Sequence, residues 1–150
     1  MILRNKAELM FSKLLVPVDG SGNSLRALEE AIFLSKKLDA QITAIHVMEK
    51  APTVYIHPQK ELEELLKNFR KESERILEKC QEIGNKNRIA INTAISEGDI
   101  ASKIIQYAEK GQFDVIVMGH RGSGKFKEMV LGNVSEKVLH LTKCSVLIVR

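Results

Sequence analysis

Short apolar runs alternate with amphipathic stretches along this chain of 150 residues, and this alternation restricts the possible folds more than any other feature. Four of the runs are almost continuously apolar, which is typical of strands that helices cover on both faces of a parallel sheet. A fifth run, RIAINTAI (88–95), alternates apolar residues with small or polar ones and predicts an edge strand with one buried face. The four continuous runs are KLLVPV (13–18), QITAIHVM (41–48), DVIVMG (114–119) and SVLIVR (145–150).

The stretches between these runs predict four helices, because their apolar residues recur at the spacing of one helix face. Start and stop signals mark several of the helix ends. The predicted helices cover 24–38, Leu62 to Ile83 with Gly84 placed to end it, a segment capped by Asp99, and a segment opened by a capping box of Asn133 and Glu136.

The order of these elements is β-α-β-α-β-α-β-α-β, which predicts an α/β fold with an open sheet and helices on both faces. The length fits a single domain over residues 1–150. Residues 1–12 are interpreted as an N-terminal extension. The segment 49–59, which contains Pro52 and Pro58, is interpreted as a flexible flap over whatever binds at the edge of the sheet.

Composition favours a soluble protein, with 44% hydrophobic and 28% charged residues and a net charge of +4. The basic residues are dispersed, so nucleic acid is not an expected partner. No apolar run reaches the roughly 18 residues of a membrane span, and the first residues do not resemble a signal peptide, so we expect a cytoplasmic protein without a membrane. Cys80 and Cys144 lack metal-ligand spacing, and no disulfide framework is expected.

A ligand is expected beyond the carboxyl ends of the strands, as in other open α/β sheets. The stretch GHRGSGKF (119–126) begins like a P-loop there, but Phe126 stands where a magnesium-binding Ser or Thr is needed. No helix starts directly after Lys125 either, so a Walker-type site is disfavoured. A second register, G-x2-G-x9-G, joins Gly119 and Gly122 to Gly132 at the start of the last helix, where an anion is favoured.

With this motif the chain resembles the universal stress protein family, and more narrowly its ATP-binding branch. Three segments carry the resemblance, which covers nearly everything from residue 13 to residue 150. They are LLVPVDGSGNSLRALEEA, EGDIASKIIQYA, and DVIVMGHRGSGKFKEMVLGNVSEKVL followed by CSVLIVR.

The resemblance implies a Rossmann-like parallel sheet of the adenine nucleotide alpha hydrolase type, with strand order 3-2-1-4-5. It implies bound ATP with Mg²⁺ or Mn²⁺, an indirect metal contact at Asp19, and a homodimer joined through 145–150. The nucleotide-binding positions that match the family are Pro17, Val18, Asp19 and Val47 around adenine and ribose, Met118, Gly119, Arg121 and Gly122 along ribose and phosphates, and Gly132, Asn133, Val134 and Ser135 at the phosphates.

Two residues depart from the family pattern. Asn133 stands where Ser or Thr is usual, and His120 stands where a small residue is common, which puts the affinity for nucleotide in question. Asp19 is also compatible with a plain turn before the first helix, since Asp-Gly is a turn dipeptide. His46 is interpreted as an ordinary core or edge histidine.

The chain shows no nucleophile–base pair, so slow ATP hydrolysis is the most that is expected of it as an enzyme. The expected function is that of a stress-response regulatory module, in which bound ATP stabilises one conformation for an unknown protein partner. The alternative is a family member that acts through protein–protein contacts without nucleotide.

Overall fold

A computed structural model of the protein describes residues 11–50, 59–120 and 131–150. These residues form a five-stranded parallel sheet in the order β3-β2-β1-β4-β5, which confirms the α/β fold and the strand order. No described helix is long and apolar enough to cross a bilayer. The strands are β1 (Lys13–Pro17), β2 (Gln41–Met48), β3 (Ile91–Glu97), β4 (Val115–Gly119) and β5 (Ser145–Val149), and the helices are α1 (Gly22–Leu38), α2 (Gln59–Lys86), α3 (Ile100–Lys110) and α4 (Asn133–Leu141).

Two apolar clusters, one on each face of the sheet, form the core. Residues that alternate along β1 and β2 divide between them, as period-two side chains must. Leu14 and Ile42 lie in the cluster under α1 and α2, whereas Leu15 and Ile45 lie in the cluster under α3 and α4. Because both faces of the central strands are covered, those strands are apolar throughout, as their sequences predict.

The predicted end of α2 at Gly84 is wrong, because the helix continues to Lys86. Gly84 is needed for a close approach instead of a helix stop. A Cβ atom there would lie 2.7 Å from the Ile89 carbonyl oxygen and 2.7 Å from the Ile91 Cδ1 atom. Gly84 therefore lets the chain fold back tightly from α2 into β3, and β3 begins at Ile91 rather than at residue 88.

Helix starts agree with the sequence in part. The Asp99 side chain caps α3 as predicted, accepting a hydrogen bond from the Ser102 amide at 3.0 Å. The predicted capping box is wrong, because Gly132 is the N-cap of α4 and Asn133 is its first helical residue, so no side chain caps this helix. Of the predicted flap, Gln59 already belongs to α2, and residues 51–58 lie outside the described residues.

Candidate functional site

The carboxyl ends of β1 and β4 lie side by side, because these two strands are neighbours in the sheet. In the strand order, β1 pairs with β2 on one side and with β4 on the other. The chain therefore leaves β1 toward one edge of the sheet and later returns to build the other half, beginning with β4. A crevice at such a point is where open α/β sheets bind their ligands. The sequence-predicted positions 17–19, 118–119 and 132–135 all belong to this edge of the sheet.

Asp19 opens a hydrogen-bonded turn that leads from β1 into α1. Its Oδ1 atom accepts from the Ser21 amide at 2.9 Å, and Gly20 adopts a φ of +84°, a conformation open to glycine at low cost. The Ser21 side chain then caps α1 by accepting from the Ser24 amide at 3.2 Å. The turn interpretation of Asp19 is thus observed, while the residue stays exposed at the edge.

Gly119 ends β4 in direct contact with the start of α1. A Cβ atom at this position would lie 2.8 Å from the Asn23 carbonyl oxygen and 2.9 Å from its carbonyl carbon. Both atoms belong to the backbone and cannot rotate away, so only glycine fits. Packing against α1 therefore explains this glycine of the G-x2-G-x9-G motif without any ligand.

Helix α4 is fastened to the end of β4 by two hydrogen bonds. The Gly132 amide donates to the His120 carbonyl at 3.0 Å, and the buried Ser135 hydroxyl donates to the Gly119 carbonyl at 3.0 Å. Because no side chain caps α4, the amides of its first turn keep their capacity to bind an anion. Gly119, Gly132 and Ser135 are therefore brought together as predicted.

The apolar site positions do not form one patch. Val18 is 4% exposed and packs in the cluster under α1 and α2. Val47 and Met118 are also buried, but in the cluster under α3 and α4, with Val134 packed against it. These side chains therefore lie on opposite faces of the sheet.

His46 makes a contact that the sequence did not reveal. Its Nδ1 atom lies 2.8 Å from the buried Ser73 hydroxyl, which itself donates to the Phe69 carbonyl at 3.0 Å, so the imidazole Nδ1–H is the donor. Burial lowers the pKa of His46, and the negative charges of Asp19 and Glu72 oppose that shift. The signal for this pair was Ser73, a polar residue inside the apolar stripe of α2.

The predicted site residues Arg121 and Gly122 lie outside the described residues, as do Lys125 and Phe126. Pro17 ends β1 beside the Asp19 turn. Within the described ranges, no cluster of three or more His, Cys, Asp or Glu side chains could hold a metal ion.

Comparison with known proteins gives a consistent result. The sequence model of the Universal stress protein family matches residues 10–150. The chain is 34% identical to universal stress protein MJ0531 of Methanocaldococcus jannaschii, over 99% of this chain and 87% of that protein. It is 36% identical to universal stress protein YxiE of Bacillus subtilis, over 94% of this chain and all of that protein.

Solved structures share the fold. Universal stress protein UspA from Lactobacillus plantarum superposes with a TM-score of 0.82 at 26% identity, over 93% of this chain and 98% of that one. Two more distant proteins show the same fold with nucleotides bound to them. One is a universal stress protein in complex with cAMP (TM-score 0.71, 20% identity), and the other is an Arabidopsis thaliana family protein with AMP bound (TM-score 0.65, 18% identity).

Proposed function

Since the chain belongs to the universal stress protein family, we propose that it binds ATP together with Mg²⁺ or Mn²⁺ at the carboxyl edge of β1 and β4. One observation carries the proposal: three backbone segments meet there through direct contacts. The start of α1, which follows the Asp19 turn, touches the end of β4 at Asn23 and Gly119, and the end of β4 holds the start of α4 through Gly119 and His120.

Each segment has chemistry that suits part of the nucleotide. The uncapped first turn of α4, Asn133 to Ser135, offers amides to the phosphates. Asp19 uses one carboxylate oxygen in its turn, and the second oxygen is suited to a ribose hydroxyl or to a water on the cation. The backbone beside Val18, Val47 and Met118 would border adenine and ribose. Arg121 and Gly122 complete the proposed phosphate loop from the sequence motif.

Ligand-dependent melting tests the proposal directly. A ligand that binds only the folded state adds stability of about 2.7 kcal/mol at a hundred times its Kd. We expect ATP with Mg²⁺ to raise the Tm more than GTP with Mg²⁺ does, with ADP, AMP and cAMP as further arms. A Tm that responds to none of these nucleotides would contradict the proposal and favour the nucleotide-independent alternative.

Variants locate the site within the chain. Gly132→Val adds a side chain at the N-cap of α4 and should abolish ATP binding. Asp19→Ala should weaken binding and reduce its dependence on Mg²⁺. Lys125→Ala is the matched comparison, because a Walker-type lysine would be essential whereas this proposal expects a modest loss. Loss of all binding in Lys125→Ala, with binding kept in Gly132→Val, would overturn the assignment.

We propose a binding module and not an efficient enzyme, with slow ATP hydrolysis as the upper limit. Release of phosphate from ATP by the purified protein is the measurement. Turnover within the usual enzyme range, on the order of 1–10³ per second, would contradict this part of the proposal.

We also propose a homodimer through β5, which is an edge strand whose Leu147 is 39% exposed. The His120 amide donates to the Val149 carbonyl, so the backbone groups of Val149 point toward β4. Because backbone groups alternate along a strand, the N–H and C=O groups of Leu147 also point toward β4, whereas those of Val146 and Ile148 point away from the sheet. Ile148→Pro should therefore give folded monomers, whereas Leu147→Pro should damage the protomer itself. Light scattering that shows the parent as a 16.9 kDa monomer would contradict the dimer.

A cytoplasmic location is proposed as well. The two described cysteines are free thiols, and burial raises the pKa of the Cys80 thiol to about 11, so that it stays protonated and inert. Such unpaired cysteines suit a reducing compartment. Fractionation of cells that produce the protein would place it in the cytosolic or the membrane fraction.

A further inference from the structure

An open groove runs between α2 and the edge strand β3, on the opposite side of the sheet from β5. Its volume is about 420 Å³. Leu77 and Ile95 give it an apolar floor, and Leu77 is only 5% exposed. Its polar wall consists of Arg70, Glu74, Glu78 and Gln81 from α2, and its other side consists of Thr93 and Ala94 from β3.

Half of the backbone groups of β3 point away from β2. The Gly98 amide donates to the Met48 carbonyl, so the even-numbered residues of β3 direct their backbone groups toward β2. By alternation, the N–H and C=O groups of Thr93 and Ile95 point outward, where no described strand pairs with them. Edge strands usually carry a lysine, a proline or another charge that prevents pairing, and in β3 the only charged residue is Glu97 at the last position, so Ile91 to Ser96 has no such protection.

The charge of the wall is acidic. Arg70 is paired with Glu74 at 3.7 Å, which leaves Glu78 as the anion without a described ion-pair partner. This local charge is opposite to the net charge of +4 of the whole chain. A basic side chain is therefore favoured in the groove even though the protein as a whole repels cationic ligands.

The wall also has the spacing of a strand. Glu74 and Glu78 are one helical turn apart, about 6 Å along α2. Alternate side chains of an extended peptide repeat every ~6.7 Å, so successive inward side chains of a bound peptide can meet successive residues of the wall. Basic side chains at every second position can therefore reach Glu74 and Glu78, while the apolar side chains between them point to the other face of the added strand.

From these observations we propose that the groove between α2 and β3 binds an extended protein segment with alternating apolar and basic residues, which adds to the sheet as a sixth strand. Main-chain hydrogen bonds to Thr93 and Ile95 supply affinity, and the α2 wall selects the side chains. Binding of this segment does not require nucleotide, so the experiment on the groove tests a different site from the proposed ATP site.

The test uses two fluorescent peptides of opposite charge, Lys-Val-Lys-Val-Lys-Val-Lys and Glu-Val-Glu-Val-Glu-Val-Glu, and the full chain. We expect saturable binding of the lysine peptide at least tenfold tighter than that of the glutamate peptide, against the net charge of the protein. In hydrogen exchange, the amides of Thr93 and Ile95 should gain protection with the peptide, while those of Asn92 and Ala94, already bonded to β2, should change little.

Two variants and a control complete the test. Glu78→Lys should weaken the lysine peptide roughly three- to tenfold, since it replaces an exposed attraction by a repulsion. Thr93→Pro removes an outward donor and should weaken it about tenfold or more, while the inward ladder to β2 is kept. Glu29→Lys makes the same charge change on α1, away from the groove, and should leave binding unchanged. Preference for the glutamate peptide, or unchanged exchange at Thr93 and Ile95 under saturating lysine peptide, would overturn the proposal.

Discussion

The centre of the sheet and its β3 edge are built in opposite ways. At the centre, Gly119 lies so close to the backbone of Asn23 that no side chain fits, and Ser135 closes the contact from α4. At the edge, the backbone groups of Thr93 and Ile95 that point away from β2 pair with no described strand, and the neighbouring wall of α2 is charged. Close packing determines which residues fit at the centre, whereas exposed charges and unpaired backbone groups determine the properties of the edge.

This difference predicts which substitutions should change the stability of the fold and which should change only the binding of a ligand or partner. Changes at the centre displace the three segments that the proposed ATP site needs, so stability and nucleotide binding should fall together. Changes on the rim of the edge groove touch exposed side chains, for which effects on stability are usually within about 0.5 kcal/mol.

Gly119→Ala should produce the largest effect. The new methyl group would overlap two backbone atoms of Asn23, and overpacking of this kind costs about 2–3 kcal/mol. Urea denaturation should show that loss in the free energy of unfolding, together with loss of ATP binding. Gly22→Ala is the matched control, because nothing lies within 4 Å of a Cβ there, and it should be neutral or slightly stabilising.

Equal stability of the two alanine variants would remove the distinction between a closely packed centre and an open surface. It would show that the start of α1 moves freely away from β4.

Gly84→Ala tests how closely the end of α2 is packed against the start of β3. Its methyl group would lie 2.7 Å from the Ile89 carbonyl oxygen and 2.7 Å from the Ile91 Cδ1 atom, but alanine favours a helix by about 1 kcal/mol over glycine, which offsets part of this overlap. We expect a net loss of about 1 kcal/mol, smaller than at Gly119, by the same denaturation measurement. A loss larger than that of Gly119→Ala would show that the turn into β3 is the less adaptable region.

The order of elements was readable from the sequence because apolar periodicity records which faces are buried. The exact ends were less accessible. Gly84 and Gly132 are glycines near helix ends, yet the first permits a close approach within a helix and the second is an N-cap. Composition alone does not separate those roles, since each follows from the path that the backbone takes after the glycine.

The candidate site was predictable for a similar reason, and only in part. Strand ends and the glycine spacing located the edge of the sheet, and the structure brings Asp19, Gly119 and Ser135 together there. The sequence interpretation grouped Val18 with Val47, but the register of β1 against β2 puts their side chains on opposite faces of the sheet. The bond between His46 and Ser73 depends on how α2 is rotated over β2, which the periodicity of neither element determines.

Ser135→Ala tests the fastening of α4 at the centre. The variant removes one buried hydrogen bond and leaves the Gly119 carbonyl without that donor, which typically costs about 1 kcal/mol. We expect that loss in chemical denaturation and a weaker ATP response in melting. Ser102→Ala, which removes an exposed hydroxyl at the start of α3, is the control and should cost less. Equal losses would indicate that α4 is not held through this bond.

The smallest expected effect concerns His46 in β2, between the centre of the sheet and its β3 edge. The negative charges of Asp19 and Glu72 both act on the pKa of this histidine. Burial lowers its pKa in the folded protein, so as pH falls the unfolded chain takes up this proton first, near its ordinary value of about 6.5. The stability contributed by neutral His46 is therefore present above that pH and is lost as pH falls through the lower folded pKa. His46→Gln should show a shallower decline of unfolding free energy below pH 6.5 than the parent.

An NMR titration of the imidazole supplies the finer measurement. Asp19→Asn removes a charge that raises the pKa of His46, so the variant should titrate at a lower pH than the parent, and Glu72→Gln should shift it in the same direction from the side of α2. Glu29→Gln on α1 serves as the control and should leave the titration unchanged. If Asp19→Asn also left it unchanged while Glu72→Gln lowered it, His46 would belong electrostatically to the α2 region alone, and the centre and the edge would be separate even at this shared side chain.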